Sequence, residues 1–232
     1  MQKVKLTKDD LTVASLYDLG YTLAAPLLEK CTYPWEALDG IGEFLRQLCR
    51  TLPDAEYLSP AEDVRVARDA TIAPGTTIKG PCVICSGAEV RPGAFIRGNV
   101  LVGKGAVVGN STELKNCILF DRVEVPHFNY VGDSVLGYRA HLGAGAVTSN
   151  VKSDRTEVVI HLPDGGIPTG RRKCGAMLGD HVEVGCNSVL NPGTVIGKNT
   201  NVYPLTPVRG VLPPDSICKA SGVVVKKRKG DA

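Results

Sequence analysis

The chain has 232 residues, of which 43% are hydrophobic and 5% aromatic, and its formal net charge is +3. A positive charge this small, without a long basic stripe, argues against nucleic acid as a partner. No apolar run is long enough to cross a bilayer, and Met1–Lys5 lacks the apolar core of a signal peptide, so we expect a cytoplasmic protein without a membrane partner.

Residues 1–60 carry the apolar spacing of helices. The residues that suggest a first and then a second helix face are Leu16, Leu19, Leu23 and Leu27, followed by Leu38, Ile41, Leu45 and Leu48. We expect this segment to form a small helical cap over the repetitive region that follows, because an open solenoid end leaves backbone groups and apolar surface uncovered.

From Val66 to Phe120, and again from Leu178 to Val208, a large apolar residue recurs at every sixth position. The recurring residues are Val66, Ile72, Ile78, Ile84, Val90, Ile96, Val102, Val108, Leu114 and Phe120, and the period returns at Leu178, Val184, Leu190, Ile196, Val202 and Val208. A six-residue period is typical of a hexapeptide β-helix, whose stacked coils bury the apolar column. The sequence therefore predicts an all-β solenoid over residues 61–212, with one five-residue step between Val131 and Leu136.

Two segments depart from the hexads. Residues 151–177 are rich in charged residues, Gly and Pro, and form an inserted loop that is too long for a corner. Residues 213–232 form a C-terminal segment that ends with a basic tail, Lys226–Lys229.

Cys82 and Cys85 have the spacing of half a zinc site, but Cys82 occupies a small inward position, so we expect core packing and no metal.

A dense set of polar residues follows Pro126. Its members are His127, Tyr130, Gly132–Asp133, Gly143–Ala144–Gly145 and Asn150. The set resembles the acetyltransferase half of the bifunctional enzyme that makes UDP-N-acetylglucosamine, and more closely still stand-alone UDP-N-acetylglucosamine pyrophosphorylase-related proteins. The resemblance covers most of residues 66–210. It implies a homotrimeric left-handed parallel β-helix that moves acetyl from acetyl-CoA to the amine of a small-molecule amino-sugar phosphate such as glucosamine-1-phosphate.

The resemblance also implies roles for single residues. His127 corresponds to the catalytic base, because an ammonium group must lose a proton before it attacks a thioester. Ala144 corresponds to a backbone N–H that polarises the thioester carbonyl, and Glu113 fits an acceptor that orients or charges the base. The residues that match contacts to the sugar or its phosphate are Arg97, Lys115, Tyr130 and Asn150. His141, where the family usually has an asparagine, is expected to be a further substrate contact.

Arg97 and Lys115 are eighteen residues apart. If a coil is three hexads, as the fold implies, these two residues stack on successive coils. They would then converge on one anion, where charge-assisted hydrogen bonds are strong. This geometric argument for a phosphate clamp is independent of the matched roles.

The acyl-donor side differs from the family. Cys186 replaces a serine at a position expected to bind acetyl-CoA, and residues 203–210 replace a corner rich in Gly and Ala. Arg172 and Lys173 in the insert could meet the phosphates of coenzyme A, or the insert could be a solvated lid. No Gly-rich nucleotide loop precedes the first hexad, so we expect no pyrophosphorylase activity.

Other interpretations stay open. A zinc enzyme of the β-helix carbonic anhydrase type needs three converging histidines. The four histidines here, His127, His141, His161 and His181, lack the close pair that such a site uses. A non-catalytic protein that binds a sugar phosphate or nucleotide sugar would keep the acceptor pocket beside a decayed donor site. His127 could also be a plain corner residue, and Asn150 could simply cap the coil before the insert.

Overall fold

The computed structural model describes residues 6–162 and 165–228. The predictions for Met1–Lys5 and for Lys229 therefore lie outside the described residues. The chain forms the predicted left-handed parallel β-helix, with about eight coils and few helices. Each coil adds one short strand to each of three faces, and strands of successive coils pair in parallel.

The strands of face 1 are β2 (Val64–Ala67), β5 (Cys82–Ile84), β8 (Val100–Val102), the second halves of β10 (Glu113–Leu119) and β12 (Tyr130–Leu136), β17 (Ala176–Leu178), β20 (Thr194–Ile196) and β23 (Val211–Leu212). Those of face 2 are β3 (Thr71–Ile72), β6 (Glu89–Val90), β9 (Val107–Asn110), β11 (Glu124–His127), β13 (His141–Leu142), β18 (Glu183–Val184), β21 (Asn201–Val202) and β24 (Ser216–Cys218). Those of face 3 are β4 (Thr77–Ile78), β7 (Phe95–Ile96), the first halves of β10 and β12, β14 (Val147–Thr148), β19 (Val189–Leu190) and β22 (Pro207–Val208).

The hexad column lies inside the coils, as predicted. From Val90 to Leu114 its members are completely buried. The predicted register is wrong at Phe120, because Leu119 and not Phe120 pairs with Val102. Four consecutive apolar residues, Cys117–Phe120, fit the pattern equally well, so the sequence alone does not reveal a coil that is one residue shorter. The further step between Val131 and Leu136 is confirmed, since Leu136 pairs with Leu119.

The N-terminal segment consists of short turns and one longer helix. Its elements are the 3-10 turns Lys8–Leu11, Leu19–Tyr21 and Pro34–Asp39 and the helices α1 (Val13–Leu16), α2 (Ala25–Leu28) and α3 (Ile41–Thr51). The predicted first helix is wrong. The Asp18 side chain accepts a hydrogen bond from the Gly20 N–H, and Pro26 occupies the first turn of α2, so both interrupt a continuous helix.

This helical segment lies along face 1 and not over the open end of the coils, where it was expected. α3 packs on β5, β8 and β10, and the outward-facing residues Val83, Leu101 and Ile118 are buried. The segment reaches the sixth coil, where the Leu16 carbonyl accepts a hydrogen bond from the Asp180 N–H at 3.0 Å. The outward-facing residues of β5, β8 and β10 on face 1 are thus apolar, and covering them removes that area from water.

Antiparallel strands lie at the two ends of the β-helix and in the insert. At the first coil, β1 (Tyr57–Ala61) pairs with β2, and at the last, β25 (Val224–Lys226) pairs with β24. Parallel pairing thus continues beyond Leu212, the predicted end of the coils, to Cys218. In the insert, β15 (Val159–Leu162) and β16 (Gly165–Pro168) form a hairpin.

The cysteines are free thiols. Cys82 and Cys85 are buried, and burial raises the pKa of the Cys85 thiol to about 12. The prediction that Cys82 packs inside the coil is confirmed. Within residues 6–162 and 165–228, no helix combines the length and apolar character that crossing a bilayer requires.

Candidate active site

The corner between face 2 and face 3 brings three of the predicted residues into one column. The His127 carbonyl accepts a hydrogen bond from the Gly145 N–H at 3.0 Å, and the Ala144 carbonyl accepts one from the Asn187 N–H at 2.8 Å. His127, Ala144 and Cys186 therefore occupy the same corner position on successive coils. The spacing between neighbouring coils is about 4.8 Å.

His127 has a fixed backbone and an exposed side chain. Its N–H donates to the Asn129 side-chain oxygen at 3.1 Å, and it pairs with Asn110 on the preceding coil. Phe128, with φ of 51°, turns the chain into face 3. Within the described part of the chain, the backbone N–H of Ala144 has no hydrogen-bond acceptor. An imidazole and a free N–H donor thus lie on neighbouring coils.

Face 3 carries the residues predicted to hold the acceptor. Ile96 pairs with Leu114 in parallel, so the next residues, Arg97 and Lys115, stack on successive coils as predicted from their spacing. Each cation already has a carboxylate partner. Arg97 Nη1 lies 2.7 Å from Glu113 Oε1, and Lys115 Nζ lies 3.2 Å from Asp133 Oδ2.

Glu113 lies on face 3, where its carboxylate pairs with Arg97. The sequence predicts that Glu113 orients His127, but no hydrogen bond joins these two side chains in residues 6–162 and 165–228. The reason is positional, because Glu113 follows the corner and begins β10, whereas His127 ends β11 on face 2. In this structure the Glu113 carboxylate forms an ion pair with Arg97 and partly neutralises its positive charge.

Tyr130 and Asn150 meet at the far edge of face 3. Asn150 Nδ2 donates to the Tyr130 hydroxyl at 3.2 Å and to Asp133 Oδ2 at 2.5 Å. Burial raises the pKa of Tyr130, and the nearby charges of Asp133 and Glu113 raise it further. The phenol is therefore a neutral hydrogen-bonding group near neutral pH. Tyr130, Asn150 and Lys115 form one connected cluster.

His141 lies apart from this cluster, at the start of β13 on face 2. Its Nδ1 is 2.8 Å from Glu183 Oε2, and this hydrogen bond raises the pKa of His141, with a further contribution from the charge of Glu124. The three side chains line an open cleft of about 500 Å³ together with Arg122 and Arg139.

One chain does not bring the predicted coenzyme A residues together. Cys186 is exposed at the corner between faces 2 and 3. Arg172 and Lys173 are exposed at the base of the insert, where Lys173 bridges Val151 next to Asn150. Arg172 and Lys173 therefore lie at the edge of face 3 that is opposite the Cys186 corner.

The family model of the GMPPB C-terminal domain matches residues 78–202, more than half of the chain. The chain belongs to this family. The matched range contains every residue predicted for the site, from Arg97 to Cys186, but it excludes the helical segment and the last coil. The GMPPB C-terminal domain thus corresponds to the part of the β-helix that carries the corner column and the face 3 cluster.

Individual relatives confirm the resemblance seen in the sequence. The bifunctional protein GlmU of Methanococcus maripaludis is 33% identical over 170 residues, which are 72% of this chain and 41% of that protein. The uncharacterised acetyltransferase YaiX of Escherichia coli is 32% identical over 153 residues, 66% of each chain. The chain spans less than half the length of the bifunctional relatives it matches.

Among solved structures, the acetyltransferase domain of PglB from Neisseria gonorrhoeae, in complex with acetyl coenzyme A, aligns with a TM-score of 0.33 at 16% identity. The alignment covers 68% of this chain and 55% of that chain.

Sequence reasoning assigned no role to Asp133, although the structure puts it at the centre of the face 3 cluster. It accepts hydrogen bonds from Lys115, Asn116 and Asn150. The pair Gly132–Asp133 was a visible signal within the family motif. The contact with Lys115 fits the eighteen-residue spacing that aligns Arg97 with Lys115. The contacts with Asn116 and Asn150 span seventeen residues, because the coils there are one residue shorter than three hexads, so the predicted spacing does not reveal them.

Proposed function

We propose that this chain transfers an acetyl group from acetyl-CoA to the amine of an amino-sugar phosphate such as glucosamine-1-phosphate, in the synthesis of UDP-N-acetylglucosamine and cell-envelope precursors. The observation that carries the proposal is the corner column, in which an exposed imidazole lies one coil away from an unpaired backbone N–H. The names of the relatives, which include bifunctional acetyltransferases, support the same chemistry.

His127 acts as the general base in this proposal. The amine reacts as its free base, because the ammonium form has no lone pair and first loses its extra proton to solvent. As the nitrogen attacks the thioester carbonyl carbon, the His127 imidazole takes one of the two remaining N–H protons, and the amide keeps the other. The new C–N bond forms and the C–S bond breaks, and the proton held by His127 passes to the departing sulfur. The backbone hydrogen bonds to Asn129 and Gly145 keep His127 in place during these transfers.

The Ala144 N–H donates to the carbonyl oxygen as negative charge develops there. A donor without a partner in the free protein needs no rearrangement to do so, which is the condition for effective electrostatic stabilisation. Cys186 lies on the next coil of the same column and would line the path of the donor.

Arg97 and Lys115 bind the acceptor's phosphate. Their stacking places two cations on successive coils of face 3, and each holds one carboxylate, Arg97 that of Glu113 and Lys115 that of Asp133. A phosphate offers more acceptor oxygens than a carboxylate, so it can bridge both cations where each carboxylate holds one.

The test is to titrate the protein with acetyl-CoA and with glucosamine-1-phosphate separately by calorimetry, and then to follow thiol release with both present. The proposal expects binding of each ligand and thiol release that depends on the amine. Sugar-phosphate binding without acetyl-CoA binding would support the non-catalytic alternative. If the protein binds neither acetyl-CoA nor glucosamine-1-phosphate, both the acetyltransferase proposal and the non-catalytic alternative are refuted.

A further inference from the structure

The Asp133 carboxylate is a shared acceptor beneath the face 3 cluster. Its Oδ1 accepts from Asn116 Nδ2 at 2.9 Å, and its Oδ2 accepts from Asn150 Nδ2 at 2.5 Å and from Lys115 Nζ at 3.2 Å. Through Asn150 the network continues to the Tyr130 hydroxyl. One carboxylate therefore connects three of the residues predicted to contact the acceptor.

The backbone builds this network into the corner between face 3 and face 1. Asn116 and Asp133 both have φ of 49° and stand on successive coils, so two left-handed residues stack there. Asp133 is only 3% exposed, which makes its hydrogen bonds hard for water to replace. Lys115, Asn116 and Asp133 also line an open cleft of about 380 Å³, whose other wall includes Gly42 and Arg46 of α3.

We propose that Asp133 is a positioning residue of the acceptor pocket. It does not touch the reacting atoms, but it holds Lys115 and Asn150 in the orientation that meets the sugar phosphate. A lysine side chain has many rotamers, and fixing one in the free protein lowers the entropy that binding costs. This inference rests on the proposed function, because it assigns the acceptor to this cluster.

Asp180 provides a matched control. It is also 3% exposed, and its carboxylate accepts from Lys198 Nζ at 2.9 Å and from the backbone N–H groups of Asp18 and Tyr138 at 2.8 and 2.9 Å. These bonds tie the helical segment to the sixth coil. Asp180 is thus a buried carboxylate with a lysine partner, and among residues 6–162 and 165–228 none of its hydrogen bonds or ion pairs reaches the face 3 cluster.

The experiment compares steady-state acetyl transfer and thermal unfolding for wild type, Asp133→Asn and Asp180→Asn. Asp133→Asn should raise KM for the amino-sugar phosphate about tenfold to a hundredfold and leave kcat and the KM for acetyl-CoA within about threefold, since charged hydrogen bonds are lost at the pocket only. Asp180→Asn should lower Tm and leave both KM values near wild type. Equal KM changes in the two variants, or an unchanged acceptor KM in Asp133→Asn, would refute the positioning role.

A milder variant covers the case in which Asp133→Asn fails to fold. Asn116→Gly keeps the left-handed backbone and removes one hydrogen bond to Asp133, so it should raise the acceptor KM by a few-fold with unchanged kcat. An acceptor KM equal to that of wild type would contradict the proposal. If wild type itself transfers no acetyl group, the proposed function fails, and this result is distinct from the failure of the positioning role.

Discussion

His127 presents its ring at an exposed corner while its backbone is fixed by neighbouring coils. Removing the ring should therefore remove a proton acceptor without loosening the β-helix. We expect His127→Ala to lower acetyl transfer about 10²- to 10⁴-fold, the usual contribution of a general base, with unchanged Tm. The control is His161→Ala, an exposed histidine on β15 of the insert hairpin. Wild-type turnover in His127→Ala would assign the base to another group.

Arg97 and Lys115 allow a second test at the level of single residues, because they stack and yet have separate carboxylate partners. Arg97→Ala or Lys115→Ala should weaken binding of glucosamine-1-phosphate about tenfold to a hundredfold, the loss of one charged hydrogen bond. Binding of unphosphorylated glucosamine should be nearly unchanged. The double variant should lose less than the sum, since both cations meet one anion. Calorimetry with the two sugars measures this, and equal losses for both would argue against a phosphate clamp.

At the scale of elements, the helical segment is the outer cover of face 1. Leu45 on α3 is completely buried in this contact. Leu45→Ala should reduce the free energy of unfolding by about 2–5 kcal/mol, the usual cost of truncating a buried leucine. Glu43→Ala on the exposed side of the same helix should change it by about 0.5 kcal/mol or less. Urea unfolding monitors both, and a Leu45→Ala protein as stable as wild type would show that the segment is dispensable for the fold.

His141 and Glu183 connect β13 and β18 across face 2 and give the stability a pH dependence. The hydrogen bond to Glu183 raises the pKa of His141 in the folded chain. The pair therefore stabilises fully below the ordinary histidine pKa of about 6.5, and its contribution disappears as pH rises through the raised value of the folded state. His141→Asn should remove this part of the Tm-versus-pH profile, whereas His161→Asn should retain it. Superimposable profiles for wild type and His141→Asn would contradict the assignment.

The elements also show what a sequence can and cannot predict. Residues such as Ile96 and Leu114 were predictable because a column that must stay buried repeats at a fixed interval. The position of α3 was not predictable. The spacing of Leu38 and Leu45 indicates that one face of the helix is buried, but it does not identify the surface on which that face packs. The partner of Glu113 was hidden for a similar reason. A carboxylate accepts from any nearby donor, and only the stacking register decides that Arg97 is the nearest.

For the whole molecule, the cover on face 1 leaves the corner between faces 2 and 3 open. Phe128 and Leu205 on this corner are 60% and 70% exposed, beside the His127 column. Exposed apolar side chains grouped at one edge are typical of a contact with another chain. His127 ends β11 at this corner, whereas Arg97 and Lys115 follow the Ile96–Leu114 pair on face 3, so roughly 10–15 Å of strand separates their backbones. We therefore expect a second copy of the chain to dock at this corner, beside His127.

A homotrimer that pairs the His127 corner of one copy with the Arg97–Lys115 edge of the next would complete the site, and closed rotational symmetry makes all three sites equal. We expect light scattering to report three copies. His127→Ala and Lys115→Ala chains, each nearly inactive alone, should regain up to about one quarter of wild-type activity when they are mixed in equal amounts and reassembled. In such a mixture about half of the copies provide an intact histidine and about half of their neighbours an intact lysine, so about one quarter of the sites have both. Each variant reassembled with itself is the control. A trimer in which mixing restores nothing would mean that one chain holds the entire site, and a monomer would remove the shared site altogether.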